Sequence, residues 1–537
     1  MPDSLPHVDS LRELLQPAGR YPDLLRDESQ FTGRAEAVCF PRDAEEIAAV
    51  LRGCAGRRIT VQGARTGITG GAVPAGGVAL NLSRMDRILG LRLGPAGTPL
   101  LRVQPGLTLS ALRRWLLAPA APPGTPEEMW RAFGRRRWRF TPDPTETSAS
   151  VGGLVACNAS GACSFLHGPT RRWIESLAVI LADGAKISLS REQGPFAEGR
   201  DFAIPVTEGE RGRVLAGTLP AWMPPAVKHA AGYWTPANQA MIDLLIGSEG
   251  TLGIAAEIEL RLAPAPAHIW GLHLMVPDEA SALALVADLR GQAGPQRTGL
   301  GAPLAAIEYF DAAALALLRR EAAAGGVARY PVPPGASGCA VYLELEADDA
   351  EALRTAAAAI RRAFAAAGGR VDRAWVASGP ADLDRLKALR HVVPEAVNQI
   401  IAARRRDHPG LTKVGTDLAV PDARLPDVMA LYREGLSKTG LAGVIFGHIG
   451  DNHLHVNILP RNLDEGRRAK ALYAEWAARC VVWGGTVSAE HGIGKLKTAL
   501  LEILCGRNGI AAMRRIKSVF DPDGRLNAGT LFADDAG

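Results

Sequence analysis

The chain has 537 residues, of which 47% are hydrophobic and 22% charged, and its formal net charge is +5. This composition is typical of an ordinary soluble globular protein, and the length exceeds what one hydrophobic core usually supports, so we expect two or three domains. The weak, dispersed positive charge argues against nucleic acid as a partner. The sequence has no apolar run near the ~20 residues that span a bilayer, and residues 1–28 show no signal-peptide pattern.

The chain contains seven cysteines, an odd number, and no Cys-x-x-Cys pair. This pattern indicates neither an iron–sulfur cluster nor a zinc ribbon. Unpaired thiols fit a reducing compartment, so we expect a cytoplasmic protein, with attachment to the inner membrane surface left open. Cys157 and Cys163 flank a glycine-rich turn, and we expect both to be small buried residues rather than a disulfide or a nucleophile.

The first clear elements are a helix capped by Asp43 and a short strand at residues 59–62. The strand leads into a loop, residues 63–71, in which most positions after Arg65 are glycine or threonine. Such a loop lets backbone N–H groups close on an anion such as a pyrophosphate. The loop matches neither the Walker nor the Rossmann spacing, and a glycine-rich turn alone is a weak signal.

A helix capped by Thr108 is predicted next, followed by a Pro- and Arg-rich stretch at residues 119–139 that we expect to be an exposed insertion. Its basic run, residues 135–139, favours a solvated loop over a docking patch for an acidic protein or a membrane surface. Two more segments rich in small residues follow, at residues 141–161 and 247–254, each near a predicted strand. Three such segments indicate a large cofactor held mostly by backbone.

A histidine cluster lies near the C-terminal end of the chain. His453, His455 and Asn457 alternate with apolar residues, so in a strand the three polar side chains share one face. His448 precedes a turn that can bring it back towards His455, and Glu490 lies in a second polar segment. Any one of these residues alone is most simply a satisfied polar group. Together, two imidazoles and a carboxylate are the donors of an open catalytic metal site.

Five segments together resemble the FAD-linked 2-hydroxy-acid dehydrogenases: residues 61–74, 140–158, 247–254, 446–457 and 488–495. That family includes D-lactate dehydrogenases, glycolate oxidase large subunits and D-2-hydroxyglutarate dehydrogenases, within the vanillyl-alcohol-oxidase-like flavoprotein superfamily. The resemblance runs from about residue 41 to residue 532, with the motifs in the expected order.

The resemblance implies an α+β fold with a two-subdomain FAD-binding domain of the PCMH type at residues 1–264, its core beginning near residue 33. A substrate domain at residues 265–500, of the FAD-linked oxidase C-terminal type, would carry an antiparallel sheet covered by helices. Its expected strands include residues 413–420. Residues 501–537 would return to pack on the FAD domain.

The resemblance also implies which positions contact FAD. They are Arg65, Thr66, Gly67, Ile68, Thr69, Gly70, Gly71, Pro142, Thr147, Ser148, Gly152, Gly153, Asn158, Gly161, Glu249, Gly253 and Ile254. In relatives with covalent flavin a histidine stands in the first glycine-rich loop. This loop has none, so we expect non-covalent FAD.

The family's metal ligands fall on His448, His455 and Glu490. We expect zinc, while the ligand types leave manganese, iron and cobalt open. The chain departs from the usual Gly-Asp-Gly-Asn-Leu-His pattern at Asn452 and His453. For His453 we expect a hydrogen bond at the rim of the site rather than a metal bond.

Four further positions match catalytic and substrate-binding residues of the family. Arg390 matches the arginine that grips the substrate carboxylate, Lys413 a second basic group, Asn457 a substrate contact and His491 the base. A planar guanidinium can bind a carboxylate through two parallel hydrogen bonds. Each cation taken alone is more often a surface residue.

The expected reaction is oxidation of a D-2-hydroxy acid, with D-lactate favoured, to the 2-oxo acid, with hydride transfer to the flavin and metal assistance. Three alternatives stay open: a related flavoenzyme acting on another alcohol, a non-catalytic flavin or electron-transfer subunit, and a metal-dependent hydrolase without flavin. The electron acceptor can be a quinone, a cytochrome or an electron-transfer flavoprotein. A homodimer is also left open.

Overall fold

The computed structural model describes residues 13–209, 212–324 and 338–533. Residues 1–12, part of the stretch in which we saw no signal-peptide pattern, lie outside the described residues. Within the described parts, no helix has the length and apolar character that crossing a bilayer requires. The seven cysteines are all free, and burial raises the pKa of the Cys157 thiol to about 12 and that of the Cys163 thiol well above its usual value, as expected for inert thiols.

The first subdomain is a small mixed sheet beside helix Ala44–Gly53. Its strands, in spatial order, are Gln16–Pro17, Ala37–Cys39, Val78–Asn81 and Ile59–Gln62. Three of these strands run parallel, and the first is antiparallel to its neighbour. The predicted helix cap is confirmed, because Asp43 accepts a hydrogen bond of 2.9 Å from the N–H of Glu46.

The second subdomain is a five-stranded antiparallel sheet. Its strands, in spatial order, are Ile88–Leu93, Pro99–Val103, Ile254–Arg261, Ile174–Ile180 and Lys186–Ser190. Strands Asp201–Pro205 and Val214–Thr218 form a hairpin-like pair, and Trp138–Arg139 pairs with Ala263–Pro264. The helices of this part are Leu109–Leu117, Glu127–Gly134, Val151–Cys157, Ser164–His167 and Ile242–Leu245.

The stretch at residues 119–139 is mostly exposed, as predicted, but part of it is folded rather than loop. It contains helix Glu127–Gly134, and Phe133 at its end is only 3% exposed. Phe133 stacks on Trp130 and Trp138, with ring centroids 5.5 and 5.9 Å apart. Arg139, at the end of the basic run, forms an ion pair instead of being solvated, because its Nη1 and Nη2 each lie 2.6 Å from a carboxylate oxygen of Glu346. Aromatic packing therefore folds a stretch whose proline and arginine content favours a loop.

The remaining strands build an eight-stranded antiparallel sheet. Its main path runs Trp375–Ala377, His268–Val276, Cys339–Ala347, Leu304–Phe310, Gly443–Gly447, His453–Ile458 and Val414–Gly415, and Leu418–Ala419 pairs beside it with His453–Ile458. The predicted strand at residues 413–420 is thus wrong: two short strands flank Thr416 and Asp417. The break occurs because Asp417 turns inward to bind the loop at residues 488–491.

Long helices cover this sheet. They are Glu279–Ala293, Ala312–Ala323, Ala350–Ala366, Pro380–Arg405, Leu425–Thr439 and Leu463–Val482. Short 3-10 turns lie at Ala18–Arg20, Pro22–Leu25, Leu82–Arg84, Pro95–Gly97, Thr170–Trp173, Val371–Arg373, Asp422–Arg424 and Ile449–Asp451. Helix faces packed on mixed and antiparallel sheets confirm the predicted α+β class.

The chain ends against the first subdomain. After helix Thr498–Phe520, which bends at Gly506, Leu526 forms a parallel bridge with Ile59. Asn527 accepts a hydrogen bond of 2.7 Å from the Val61 N–H and donates one of 2.6 Å to the Glu249 carbonyl. The last described segment thus connects strand Ile59–Gln62 to the third glycine-rich segment, residues 247–254. The exact domain boundaries stay predictions.

Candidate active site

A cavity of about 1640 Å³ lies where the glycine-rich segments meet the histidine cluster. This is larger than the ~300–1,000 Å³ of most single-ligand pockets, so it has room for a large cofactor together with a small substrate. Eleven of the predicted cofactor positions line it: Arg65, Thr66, Gly67, Ile68, Thr69, Gly71, Gly152, Gly153, Glu249, Gly253 and Ile254. Six do not: Gly70, Pro142, Thr147, Ser148, Asn158 and Gly161.

Two of the six positions outside the cavity wall have a clear structural role. Asn158 ends helix Val151–Cys157 in the left-handed conformation, with φ of 48°, and accepts a hydrogen bond of 2.9 Å from the Arg171 N–H. At Gly161 a Cβ would lie 1.7 Å from the Asp143 carbonyl oxygen, so only glycine fits between the two chain segments. Their proposed contacts with a cofactor stay predictions.

The glycine-rich segments are built for close backbone packing around the cavity. A Cβ at Gly63 would lie 2.1 Å from Ser150 Oγ, and one at Gly152 would lie 2.6 Å from the side chain of Pro105. Gly67 differs, because no atom lies within 4 Å of its Cβ position and it faces open space in the cavity. Side chains are thus excluded where segments touch and absent where a ligand would lie, which fits a cofactor held by backbone.

Glu249 joins the third glycine-rich segment to the loop that carries Glu490. Its two carboxylate oxygens accept hydrogen bonds of 2.7 Å from the N–H groups of Ile493 and Gly494. Burial raises the pKa of Glu249 to about 7 in spite of these bonds. Glu249 therefore fixes the position of the polar loop relative to the cavity.

The histidine turn is held by side chains on both sides. Asn452 adopts the left-handed conformation with φ of 53°, which asparagine tolerates better than most residues. Its side chain donates a hydrogen bond of 2.7 Å to Asp422 and accepts one of 2.5 Å from Arg290. These bonds fix the turn, so His448 and the strand that begins at His453 face each other.

Four side chains meet beyond this turn. His448, His453, His455 and Glu490 each offer one donor atom, and these four atoms lie within 4.8 Å of one another. The structure brings together the three predicted ligands and adds His453. His453 does not lie at the rim, because its side chain is 0% exposed; its Nε2 lies 3.0 Å from Asp417 Oδ1, while its Nδ1 has no hydrogen-bond partner. Its role stays a prediction.

The outward ring nitrogen of each histidine faces an oxygen. Glu308 lies 2.6 Å from His448 Nδ1, Asp417 lies 3.0 Å from His453 Nε2, and the Thr416 carbonyl lies 3.3 Å from His455 Nδ1. Such acceptors orient the rings and fix which nitrogen has a free lone pair, as around many protein metal sites. Burial alone would lower the pKa of His448, but Glu308 outweighs it and raises the pKa to about 9, a sign of strongly negative surroundings.

Asp417 is a buried carboxylate beside the cluster that our sequence reasoning missed. It is 0% exposed and accepts hydrogen bonds of 3.2 and 3.1 Å from the N–H groups of Glu490 and His491. His491 Nδ1 lies 3.4 Å from Asp417 Oδ2, and Lys497 donates a bond of 2.8 Å to the same oxygen. Burial opposes ionisation, but its contacts with His491, Lys497 and His453 hold the pKa of Asp417 well below its usual range. The only sequence signal was an acidic residue inside a predicted strand.

Lys228 is a second residue that we did not predict. Its Nζ lies 2.7 Å from Glu490 Oε2 and 3.7 Å from Asp451, and its side chain is 6% exposed. Burial would lower its pKa, but Glu490 and Asp451 raise it above the usual value, so the ammonium stays charged. Lys228 lies in a Pro- and Ala-rich stretch without a motif, and only the folded chain brings it to the cluster.

The predicted substrate-binding residues also border the cavity. Arg390 has only 9% of its side chain exposed, and Glu308, Glu344 and Asp143 lie 3.7, 3.5 and 3.6 Å from its guanidinium. Lys413 donates a hydrogen bond of 2.8 Å to Asn398, and burial lowers its pKa. The three carboxylates hold the guanidinium of Arg390 in place at contact distances longer than a strong ion pair.

Asn457 and His491 complete the lining on this side. Asn457 lies on the same strand face as His455 and is buried. His491 is the most accessible member of the group, with 27% of its side chain exposed, and its ring stacks on that of His455 with centroids 5.4 Å apart. A neutral imidazole that has one nitrogen next to a carboxylate and lines a cavity, as His491 does, can take up a proton from a ligand in that cavity.

Comparisons with known proteins agree with this geometry. Residues 35–129 and 120–190 match the family described as "FAD binding domain", and residues 277–531 match "FAD linked oxidases, C-terminal domain". The chain is 28% identical over 512 residues to a "Probable D-lactate dehydrogenase, mitochondrial" of Danio rerio, covering 94% of this chain and 86% of that protein. It is 27% identical over 516 residues to the glycolate oxidase subunit GlcD of Bacillus subtilis, covering 94% and 91%.

A solved structure shares the whole architecture. The 4-ethylphenol oxidase of Gulosibacter chungangensis superposes with a TM-score of 0.62 over 97% of this chain and 95% of its own, at 18% identity. This similarity supports the PCMH-type arrangement of the fold. The two domain matches and the full-length relatives lead to one conclusion: the chain belongs to the FAD-linked oxidase family of the vanillyl-alcohol-oxidase-like flavoproteins.

Proposed function

We propose that the protein oxidises a D-2-hydroxy acid, with D-lactate favoured, to the corresponding 2-oxo acid. The observation that carries the proposal is a single cavity bordered by the glycine-rich segments, the His–Glu cluster and the largely buried Arg390. The full-length relatives named for D-lactate and for glycolate, both 2-hydroxy acids, support the substrate class.

FAD would be held by the cavity-facing backbone of the segments around Gly67, Gly153 and Gly253. When bound, it supplies the two-electron oxidant for the reaction. The loop at residues 63–71 contains no histidine, so we propose non-covalent binding. The protein's own contribution is then to bind the acid, orient its carbinol carbon and handle the hydroxyl proton.

The donor set fits a divalent metal ion on His448, His455 and Glu490. Glu490 Oε1 lies 3.4 Å from His448 Nε2 and 3.9 Å from His455 Nε2, and the outward nitrogens of both histidines already face oxygens. Two inward ring nitrogens and a carboxylate oxygen that face one another are donors that one cation can bind. When bound, a metal lowers the pKa of a coordinated hydroxyl, and we favour zinc.

His491 would remove the hydroxyl proton at Nε2. Its Nδ1 lies beside Asp417, so the tautomer with the proton on Nδ1 leaves the Nε2 lone pair free. Arg390 would bind the substrate carboxylate, assisted by Lys413 and Asn457. The acid would thus be held at one end by charge and at the other by the base.

We expect Arg390→Lys to raise KM for the acid by ~10²-fold with a smaller loss in kcat. Lysine keeps the charge that Glu308, Glu344 and Asp143 require, but it lacks the planar fork that binds a carboxylate through two hydrogen bonds. Arg404→Lys is the matched control, because Arg404 lies on the same helix but donates its described hydrogen bonds to the carbonyls of Leu459 and Pro460. Steady-state kinetics checks both variants, and an unchanged KM in Arg390→Lys removes this residue from substrate binding.

Turnover with an artificial electron acceptor tests the proposed reaction. We expect oxidation of D-lactate to exceed that of L-lactate and of 1,2-propanediol, which has the same hydroxyl without the carboxylate. Equal rates with the diol would point instead to an oxidoreductase of neutral alcohols. A protein that binds FAD and oxidises none of them would fit a non-catalytic electron-transfer subunit.

A further inference from the structure

His453 occupies a position that the proposed reaction leaves without a role. Its side chain is fully buried, and its ring centroid lies 4.4 Å from that of His455 and 5.3 Å from that of His448. His453 Nδ1 points into the cluster, 3.6 Å from Glu490 Oε2, and has no hydrogen-bond partner. A buried imidazole nitrogen without a partner costs ~1–3 kcal/mol, so its orientation calls for an explanation.

We infer that His453 is a ligand of the metal ion, which makes the donor set three imidazoles and one carboxylate. This inference rests on the metal ion in the proposed function. His453 contributes a ring nitrogen to the group of four donor atoms that are all within 4.8 Å of one another, and its Nδ1 lies 3.6 Å from Glu490 Oε2. On its other side, Nε2 lies 3.0 Å from Asp417 Oδ1, which is where an N–H bound to a carboxylate would be found if Nδ1 binds a metal.

Asp417 and Asn452 explain how this chain can bring a third imidazole into the cluster. The left-handed Asn452, tied to Asp422 and Arg290, directs the following residue inward at the start of strand His453–Ile458. Asp417 then closes the far side of the ring. A side chain that only filled space there would have no need of a buried carboxylate opposite its nitrogen.

The larger donor set changes what the ion can do. With four protein donors, a substrate hydroxyl must enter as a fifth ligand. The site therefore suits an ion that accepts five or six ligands, such as cobalt, iron, manganese or an expanded zinc centre. A site with only His448, His455 and Glu490 as protein donors would instead let the substrate hydroxyl bind as the fourth ligand.

Lys228 is the rival to a metal ion as the positive partner of Glu490. Its ammonium lies 2.7 Å from Glu490 Oε2. If the ammonium alone neutralised Glu490, His453 Nδ1, which lies 3.6 Å from the same oxygen, would still have no hydrogen-bond partner. The test must therefore separate a site with four donors, a site with three donors and a site neutralised by lysine.

The experiment is titration of the chelator-stripped, FAD-loaded protein with Co²⁺ and Zn²⁺. It compares the wild type with His453→Asn, which carries the residue usual in the family pattern, and with His453→Gln. His273→Asn is the matched control, a buried histidine of the same sheet outside the cluster. Metal content, the visible spectrum of bound Co²⁺ and bound flavin are measured, so the readout does not depend on turnover.

We expect a single ion to bind the wild type with the weak d–d bands of a five- or six-coordinate centre. Both His453 variants should bind it at least ~10-fold more weakly and with an altered spectrum, while flavin content and the control stay unchanged. Equal affinity and an identical spectrum in His453→Asn would overturn His453 as a ligand and leave the three-donor site. If the wild type binds neither ion, the metal of the proposed function fails too, and Lys228 is the partner of Glu490.

Discussion

Replacing His491 by alanine is expected to slow reduction of the bound flavin by ~10²–10⁴-fold, the usual contribution of a general base. The effect should fall on kcat with little change in KM, because His491 acts on the hydroxyl proton rather than on the carboxylate. FAD and metal content should be unchanged, since the ring is only partly buried and its contact with Asp417 is a long one of 3.4 Å. Rapid mixing with the acid under anaerobic conditions, followed by flavin absorbance, measures the rate.

His268→Ala is the control for His491→Ala, because it removes an exposed imidazole at the start of strand His268–Val276, away from the cavity. That variant should reduce its flavin at the wild-type rate. Normal flavin reduction in His491→Ala would show that another group takes the proton. Loss of FAD from that variant would show that His491 has a structural role instead.

Asp417→Asn is expected to lower the rate of flavin reduction by ~10²–10⁴-fold, an effect close to that of removing the base itself. The carboxylate faces His491 with one oxygen and His453 with the other. An amide keeps the size, but its N–H₂ group can only donate, so it favours the wrong tautomer of the imidazole that it faces. The rate is measured per bound flavin, so that any loss of folded protein is separated from loss of catalysis.

Ser488→Ala is the matched control for Asp417→Asn. Ser488 Oγ donates a hydrogen bond to Asp417 Oδ2. Removal of this hydroxyl leaves the carboxylate in place, with Lys497 still paired to it. We expect a loss of about tenfold, the value of one hydrogen bond to a charged group. If Asp417→Asn reduces its flavin as fast as Ser488→Ala while its melting temperature falls, Asp417 stabilises the loop and does not orient the base.

The parts of the site that follow from local patterns could be predicted from the sequence. The glycine-rich loop at residues 63–71 and the alternation of His453, His455 and Asn457 are each visible within about ten residues. The helix cap at Asp43 has the same local character. Local chemistry alone decides these features. The fold then places the glycine-rich loop and the histidine strand at a common cavity.

The residues that sequence reasoning missed depend on contacts between distant segments. Lys228 and Glu490 are 2.7 Å apart in space but far apart in the chain, and no spacing rule connects them. Asp417 breaks a predicted strand because the loop at residues 488–491 offers it backbone N–H groups. The aromatic packing of Phe133 likewise overrides the local preference of a Pro-rich stretch.

The central claim is that the cavity oxidises a D-2-hydroxy acid with metal assistance, and anaerobic mixing tests it most directly. The FAD-loaded protein is mixed with D- and L-forms of a panel of 2-hydroxy acids, before and after chelator treatment, and the oxidised-flavin absorbance is followed. We predict that a D-acid bleaches the flavin, that its L-form does not, and that chelator abolishes the bleaching. A flavin that no acid bleaches, while a neutral alcohol does, would contradict the account.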